Sequence, residues 1–262
     1  MPLFVSMFLV GLASLVAIEP APDIARILAA GKLSVAMVAE DVYPLFYRDG
    51  RNVLRGHEPD LAGGIAAALG VALEIKRDAK TYDEVVDMVG RREADLGISF
   101  VSITASRAMR VRFSKPYLVV HPVFLVNRMS AFAALKPEDI GASRAGAIVV
   151  SERAGTSYVG MARTLFPQGR LILENDWNAV LGNVAALRAD AALRDEIGVH
   201  NALQDSLELL INLKRIVLER IRDQIGIVVH RDDAQLEYWV NVFLDQHGYP
   251  TETKTLLEKY AR

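Results

Sequence analysis

Residues 94–117 read ADLGISFVSITASRAMRVRFSKPY, and this stretch decides the fold. Leu96, Ile98 and Phe100 form a short apolar run that predicts a buried strand over Asp95–Phe100. Hydroxyls gather where that strand stops, at Ser99, Ser102 and Thr104. Thr104 suits the N-cap of a short helix over Ala105–Met109, which would turn free backbone N–H groups and a positive dipole end toward Ser102. Arg107, three residues past the cap, adds a planar two-pronged donor that matches a carboxylate better than a lysine does. Together these features predict a site for a small carboxylate. The competing reading is a surface turn with a solvated arginine.

Outward from this stretch the chain alternates strands and helices. Upstream, a strand is predicted over Leu33–Val38. A helix follows over Leu61–Leu69, packed through Leu61, Ile65 and Leu69 and stopped by Gly70. Val71, Leu73 and Ile75 then alternate as a strand, and a second helix spans Tyr82–Val89, ending at Gly90. Downstream, after the apolar run Val119–Val126, a second series begins. It has strands over Ala147–Val150, Leu171–Leu173 and Ala191–Arg194, with helices over Ser157–Phe166 and Trp177–Leu187. The C-terminal part shows a strand over Ile225–Val229 and helices near Ala234–Leu244 and Glu252–Tyr260. This pattern predicts an α/β protein with mostly parallel sheets flanked by helices. In such sheets ligands sit beyond the carboxyl ends of strands, so the segments after Val38, Phe100, Val150 and Arg194 should line one cleft.

The chain has 262 residues, 52% hydrophobic and 24% charged, enough for one large domain or two lobes with separate cores. Its 30 basic and 32 acidic residues are interspersed, so no nucleic-acid partner is expected. Residues 3–18 are too short an apolar run for a comfortable membrane span and suit the core of a signal peptide, although no Lys or Arg precedes Arg26. The alternative is an N-terminal buried helix or strand. With no cysteine, a lipid anchor through that residue is not expected. His57 lacks companions at ligand spacing, and no nucleophile–base pair or phosphate loop is visible, so neither a metal nor another cofactor is expected.

The segment ITASRAMRVRFSKPY resembles the Ile-Thr-x-x-Arg and Phe-Ser-x-Pro-Tyr elements of periplasmic amino-acid-binding proteins that serve ABC transporters, the family 3 extracellular solute-binding proteins. The resemblance extends, in the family's order, to Gly31–Val35, Tyr43–Phe46, Gly56–Ala62, Gly155–Ser157, Asp190–Asp195 and Ile225–Val229. It implies a two-lobed, type II periplasmic-binding-protein-like fold in which the C-terminal part returns to the first lobe. The expected layout is a leader over 1–22, lobe 1 over 28–125 plus 222–262, and lobe 2 over 126–221. A two-stranded hinge is expected near Phe124–Asn127 and Asp223–Gly226.

The resemblance also implies roles. Arg107, Ser102, Ser157 and Thr156 would hold a ligand carboxylate, and Asp195 with Phe100 would hold its ammonium. Glu40, Tyr43, Tyr82, Arg153 and Arg194 would face the ligand side chain. Plainer readings exist: helix capping for Ser157 and Asp195, core packing for the tyrosines, solvation for Glu40. Arg153 and Arg194 favour an acidic or amide side chain, whereas Glu40 and the tyrosines suit a cationic or aromatic one; the two cations carry the preference. The implied function is extracytoplasmic binding of a polar amino acid by a non-enzymatic monomer that closes on it and delivers it to an ABC permease. Two alternatives stand beside it. One is an enzyme similar to cyclohexadienyl dehydratases, with Glu196 or Glu40 as the general acid. The other is a ligand-sensing module for a membrane receptor.

Overall fold

The computed structural model describes residues 19–140 and 148–260, so the apolar leader and Ala147 lie outside the described residues. The first half contains α1 (Pro22–Ala30), β1 (Lys32–Val38), β2 (Tyr47–Arg48), β3 (Leu54–Arg55), α2 (His57–Leu69), β4 (Ala72–Ala79), α3 (Tyr82–Gly90), β5 (Leu96–Gly97), α4 (Ala105–Ala108), β6 (Arg112–Val120) and β7 (Pro122–Asn127). The second contains β8 (Val149–Arg153), α5 (Ser157–Leu165), β9 (Arg170–Glu174), α6 (Trp177–Ala185), β10 (Ala191–Asp195), α7 (Glu196–Asp205), α8 (Leu207–Asn212), β11 (Leu213–Val217), β12 (Asp223–Val229), α9 (Ala234–Gln246), β13 (Thr251–Glu252) and α10 (Thr253–Lys259).

Two sheets organise these elements. A six-stranded sheet runs β13-β6-β12-β5-β1-β4, and a five-stranded sheet runs β11-β7-β10-β8-β9. Strands β4, β1 and β5 are parallel, as are β10, β8 and β9, while β12 and β7 run antiparallel to their neighbours. The C-terminal strands and helices therefore join the first sheet, and each lobe buries a core of its own. Leu33, Val35, Leu61, Ile65, Val85 and Val228 belong to one core. In lobe 2, Phe124 and Val126 pack on one face of β7 with Ile148 and Phe166, while Val123 and Leu125 pack on the other with Val180 and Leu181. A strand buried on both faces needs apolar residues at every position, which accounts for the continuous run there.

Several boundaries differ from the sequence expectation. The chain leaves the first sheet after Val120 and enters the second at Pro122, so the crossing is His121 rather than Phe124–Asn127, and residues 122–125 pair in the second sheet. The return crossing spans 218–222, before Asp223–Gly226, which already pairs with β6. Apolar content runs unbroken through the first crossing, so hydropathy could not mark it. Strand β5 covers only Leu96–Gly97 of the expected Asp95–Phe100, because the Ser99 hydroxyl takes the Val38 N–H (2.9 Å) and Phe100 turns to a left-handed φ of 51°. Helix α2 starts at His57, four residues before Leu61, with Asp60 complementing the dipole of its first turn.

Candidate functional site

A cleft of about 880 Å³ opens between the sheets, and every residue expected in the site lines it: Glu40, Tyr43, Tyr82, Phe100, Ser102, Arg107, Arg153, Thr156, Ser157, Arg194 and Asp195. The fold brings them together because β1, β5, β8 and β10 all end at this edge.

Arg107 is buried at 4% exposure. Its Nε donates to Asp83 Oδ1 (2.9 Å) and its Nη1 to the Ser102 carbonyl (3.1 Å), while Nη2 makes no hydrogen bond among the described residues. Two bonds thus aim the fork and leave Nη2 for a ligand. The expected contribution of the helix end is smaller than the sequence suggests. Helix α4 has four residues, and Thr104 Oγ1 caps the Arg107 N–H (3.3 Å).

Ser102 lies at the junction of the lobes. Its hydroxyl is 2.9 Å from Ser157 Oγ and donates to Asp223 Oδ2 (3.0 Å), which also accepts the Tyr158 hydroxyl (3.0 Å). Burial pushes the Asp223 carboxyl up to about 6, against the two hydroxyl bonds that lower it. Thr156 Oγ1 donates to the Arg153 carbonyl (2.8 Å), so its hydroxyl closes the turn instead of capping α5. The first N–H groups of α5 consequently have no side-chain cap where Thr156 and Ser157 form the cleft wall.

Asp195 caps α7, with Oδ1 accepting the Gly198 N–H (2.6 Å). The residue still lines the cleft, and burial pushes its carboxyl's titration upward while the Arg194 charge opposes that shift. Capping and ligand binding are compatible, because only one oxygen is used by the cap. Phe100 donates its N–H to Glu58 Oε1 (2.8 Å) and approaches the Tyr117 hydroxyl (3.2 Å), and its carbonyl accepts no hydrogen bond among the described residues.

The side-chain end of the cleft is asymmetric. Arg153 Nη1 pairs with Glu40 Oε2 across the lobes at 2.5 Å. Tyr43 packs edge-on against Tyr47 (5.0 Å), donates its hydroxyl to the Tyr260 carbonyl, and accepts Asn201 Nδ2 at its own carbonyl (2.5 Å). Tyr82 is half-buried, and burial raises its hydroxyl's titration. The Arg194 guanidinium lies 4.4 Å from the Trp177 ring centroid, and its Nε is buried without a partner. Glu196 does not line the cleft; its Oε1 accepts the His121 N–H (3.1 Å) and the Thr253 hydroxyl (2.7 Å).

Sequence reasoning missed Glu58, Trp177, Gly198, Asn201 and Asp223. Trp177 had a usable signal, since it opens a helix just after a predicted strand, where cleft residues collect. Glu58 had none, because an acid in a helix's first turn reads as a solvated charge. Among the described residues there is no metal-ligating cluster and no helix long and apolar enough to cross a membrane.

Two parallel-rich lobes with a polar cleft between them define a protein of the type II periplasmic-binding-protein fold. The chain belongs to the bacterial extracellular solute-binding proteins, family 3, whose family model matches residues 34–262. An arginine-binding protein of T. maritima, as its P235GK mutant, superposes with TM-score 0.70 at 26% identity over 91% of this chain and 98% of that one. The ancestral amino acid-binding protein AncCDT-1, a precursor of cyclohexadienyl dehydratase, superposes with TM-score 0.71 at 24% identity over 92% of this chain and 100% of its own. A membrane-bound lytic murein transglycosylase F of Saccharophagus degradans is 33% identical over 113 residues, 43% of this chain. That match spans 22% of the transglycosylase, about a fifth of its length.

Proposed function

We propose that this protein binds a polar α-amino acid outside the cytoplasm, with an acidic or amide side chain, and delivers it as a closed monomer to an ABC permease. Export would use the apolar leader, and the lobes would be 22–120 with 223–260, and 122–217. The observation that carries the reading is the convergence of carboxylate donors and an ammonium acceptor from both lobes. Arg107 and Phe100 belong to one lobe, Ser157 and Asp195 to the other, and all line the same cleft. Charge-assisted hydrogen bonds contribute about 1.5–3 kcal/mol each. Three or four of them offset ordering costs and support micromolar affinity, about -8 kcal/mol. Because the partners lie on different lobes, the ligand favours the closed form.

The relative from T. maritima is named for arginine, whose side chain would need an acid here. Glu40 is engaged by Arg153, which supports the acidic or amide class instead. A dehydratase would need a free general acid, and Glu40 and Glu196 both already serve other partners. Screening the twenty amino acids and prephenate by thermal shift, with Arg107→Ala and Asp195→Ala alongside, tests the proposal. A polar amino acid should raise the melting temperature, and both variants should weaken its binding at least tenfold. Equal binding by the variants refutes the site, and turnover of prephenate replaces the binder with the enzyme.

A further inference from the structure

The cleft arginines differ in how they are satisfied. Arg107 is paired with Asp83 and Arg153 with Glu40, whereas Arg194 makes no hydrogen bond or ion pair among the described residues. Its guanidinium instead stacks on Trp177, at 4.4 Å, on the lobe 2 wall. Stacking satisfies the face of a guanidinium and leaves its N–H edge unmet. A mostly buried cation with unmet donors is costly unless an anion arrives.

The backbone around it makes room for this arrangement. Gly198 stands in the first turn of α7, where a Cβ would come within 2.2 Å of Arg194 Nε and 2.8 Å of its Cζ. The same glycine donates its N–H to Asp195, so one turn of helix both holds the carboxylate of Asp195 and seats the guanidinium of Arg194. Of the nearby acids, Glu40 is paired with Arg153, and Asp195, whose charge also bears on Arg194, caps α7 through one oxygen and makes no ion pair with that arginine.

We infer that Arg194, stacked on Trp177 and seated by Gly198, forms a subsite for a second carboxylate, so that the ligand is a dicarboxylic amino acid rather than an amide. This rests on the proposed amino-acid site and adds the class of its side chain. The subsite is separate from the grip on the α-carboxylate, which Arg107 supplies from the opposite lobe. An amide oxygen offers Arg194 a neutral acceptor, and roughly half the hydrogen-bond strength of a carboxylate.

Calorimetry with L-glutamate, L-aspartate, L-glutamine and L-asparagine on wild type, Arg194→Gln and Gly198→Ala tests it. Wild type should bind one of the acids at least about tenfold tighter than its amide, and both variants should bring that ratio to within about twofold. A wild-type preference for the amide, or a ratio that survives in Arg194→Gln, overturns the inference. If none of the twenty amino acids binds, the amino-acid reading fails on its own, and the subsite is then judged with succinate and glutarate, which carry two carboxylates and no ammonium. Trp239, stacked on Phe243 in α9, is replaced by Phe so that Trp177 alone reports by fluorescence. A saturable response to either diacid that Arg194→Gln abolishes supports the subsite, and no response to either overturns it.

Discussion

Replacing Glu58 by Gln should change how stability depends on pH more than it changes stability at any single pH. Glu58 is fully buried beneath the cleft, with Oε1 accepting the Phe100 N–H (2.8 Å) and the Tyr117 hydroxyl (2.6 Å). Its Oε2 has no partner, and desolvation pushes its pKa up to about 8 from 4.5. The folded state therefore keeps a proton that the unfolded chain gives up above about 4.5. Stability from this group is complete at low pH and is lost as pH rises toward 8, at about 1.4 kcal/mol per pH unit. Over pH 5 to 8 that amounts to about 4 kcal/mol. In Glu58→Gln the amide oxygen would still accept both hydrogen bonds, and the side chain has no proton to lose. The adjacent His57 works in the opposite sense. Burial lowers its pKa to about 4 from 6.5, so its stabilisation is present above 6.5 and lost as pH falls toward 4. It is the same in both proteins and cancels from their difference. Urea unfolding followed by circular dichroism at pH 5, 6, 7 and 8 gives that difference directly. The advantage of wild type over Glu58→Gln should shrink steadily with rising pH, and two parallel profiles would refute the reasoning.

Two further outcomes follow from the lobe contacts. Glu40→Ala removes an ion pair whose acid is half exposed, so unfolding stability should change by less than about 1 kcal/mol. The unliganded protein should nonetheless open, seen as a larger radius of gyration in small-angle X-ray scattering; an unchanged radius rejects the pair as a closure contact. Asp223, with a folded pKa near 6 against 3.8, sits next to Ser102, where a ligand carboxylate would raise it further. Binding should then take up protons between pH 5 and 7 and tighten as pH falls across that window. Calorimetry in two buffers of different ionisation enthalpy should show this uptake in wild type and its loss in Asp223→Asn.

Much of the site was legible because its residues stand at strand ends, and a strand end is visible as the last apolar residue before hydroxyls and glycine. Arg107 and Ser102 were singled out that way, as was the division into two series of strands, whereas Ser157 and Asp195 were singled out by the family resemblance. What sequence pattern could not carry was partnership. Nothing in the order of residues shows that Arg153 would be neutralised by Glu40, from 113 positions away, while Arg194 would be left unpaired. The hinge was displaced for a related reason. Residues 118–126 include apolar side chains serving two different cores on either side of His121, and periodicity does not register a change of core. The elements α8 and β11, six and five residues long, carried too little periodicity to stand out.

In the proposed closing motion, the crossing at His121 would also set the leverage. Both backbone groups of His121 are held by Glu196, its N–H by the side chain (3.1 Å) and its carbonyl by the backbone N–H (3.2 Å), and Asp195 pairs with Pro122 beside it. The pivot is thus fastened to the start of α7, and residues near a pivot sweep short arcs. Asp195 should present nearly the same face to an arriving ligand whether the cleft is open or shut, whereas Glu40–Arg153 and Tyr43–Asn201, anchored on opposite lobes, register the full swing. On that proposal capture and closure would be tuned apart: substitutions close to the pivot would reset affinity for the amino-acid head, and substitutions at the outer contacts would reset how often the empty protein shuts.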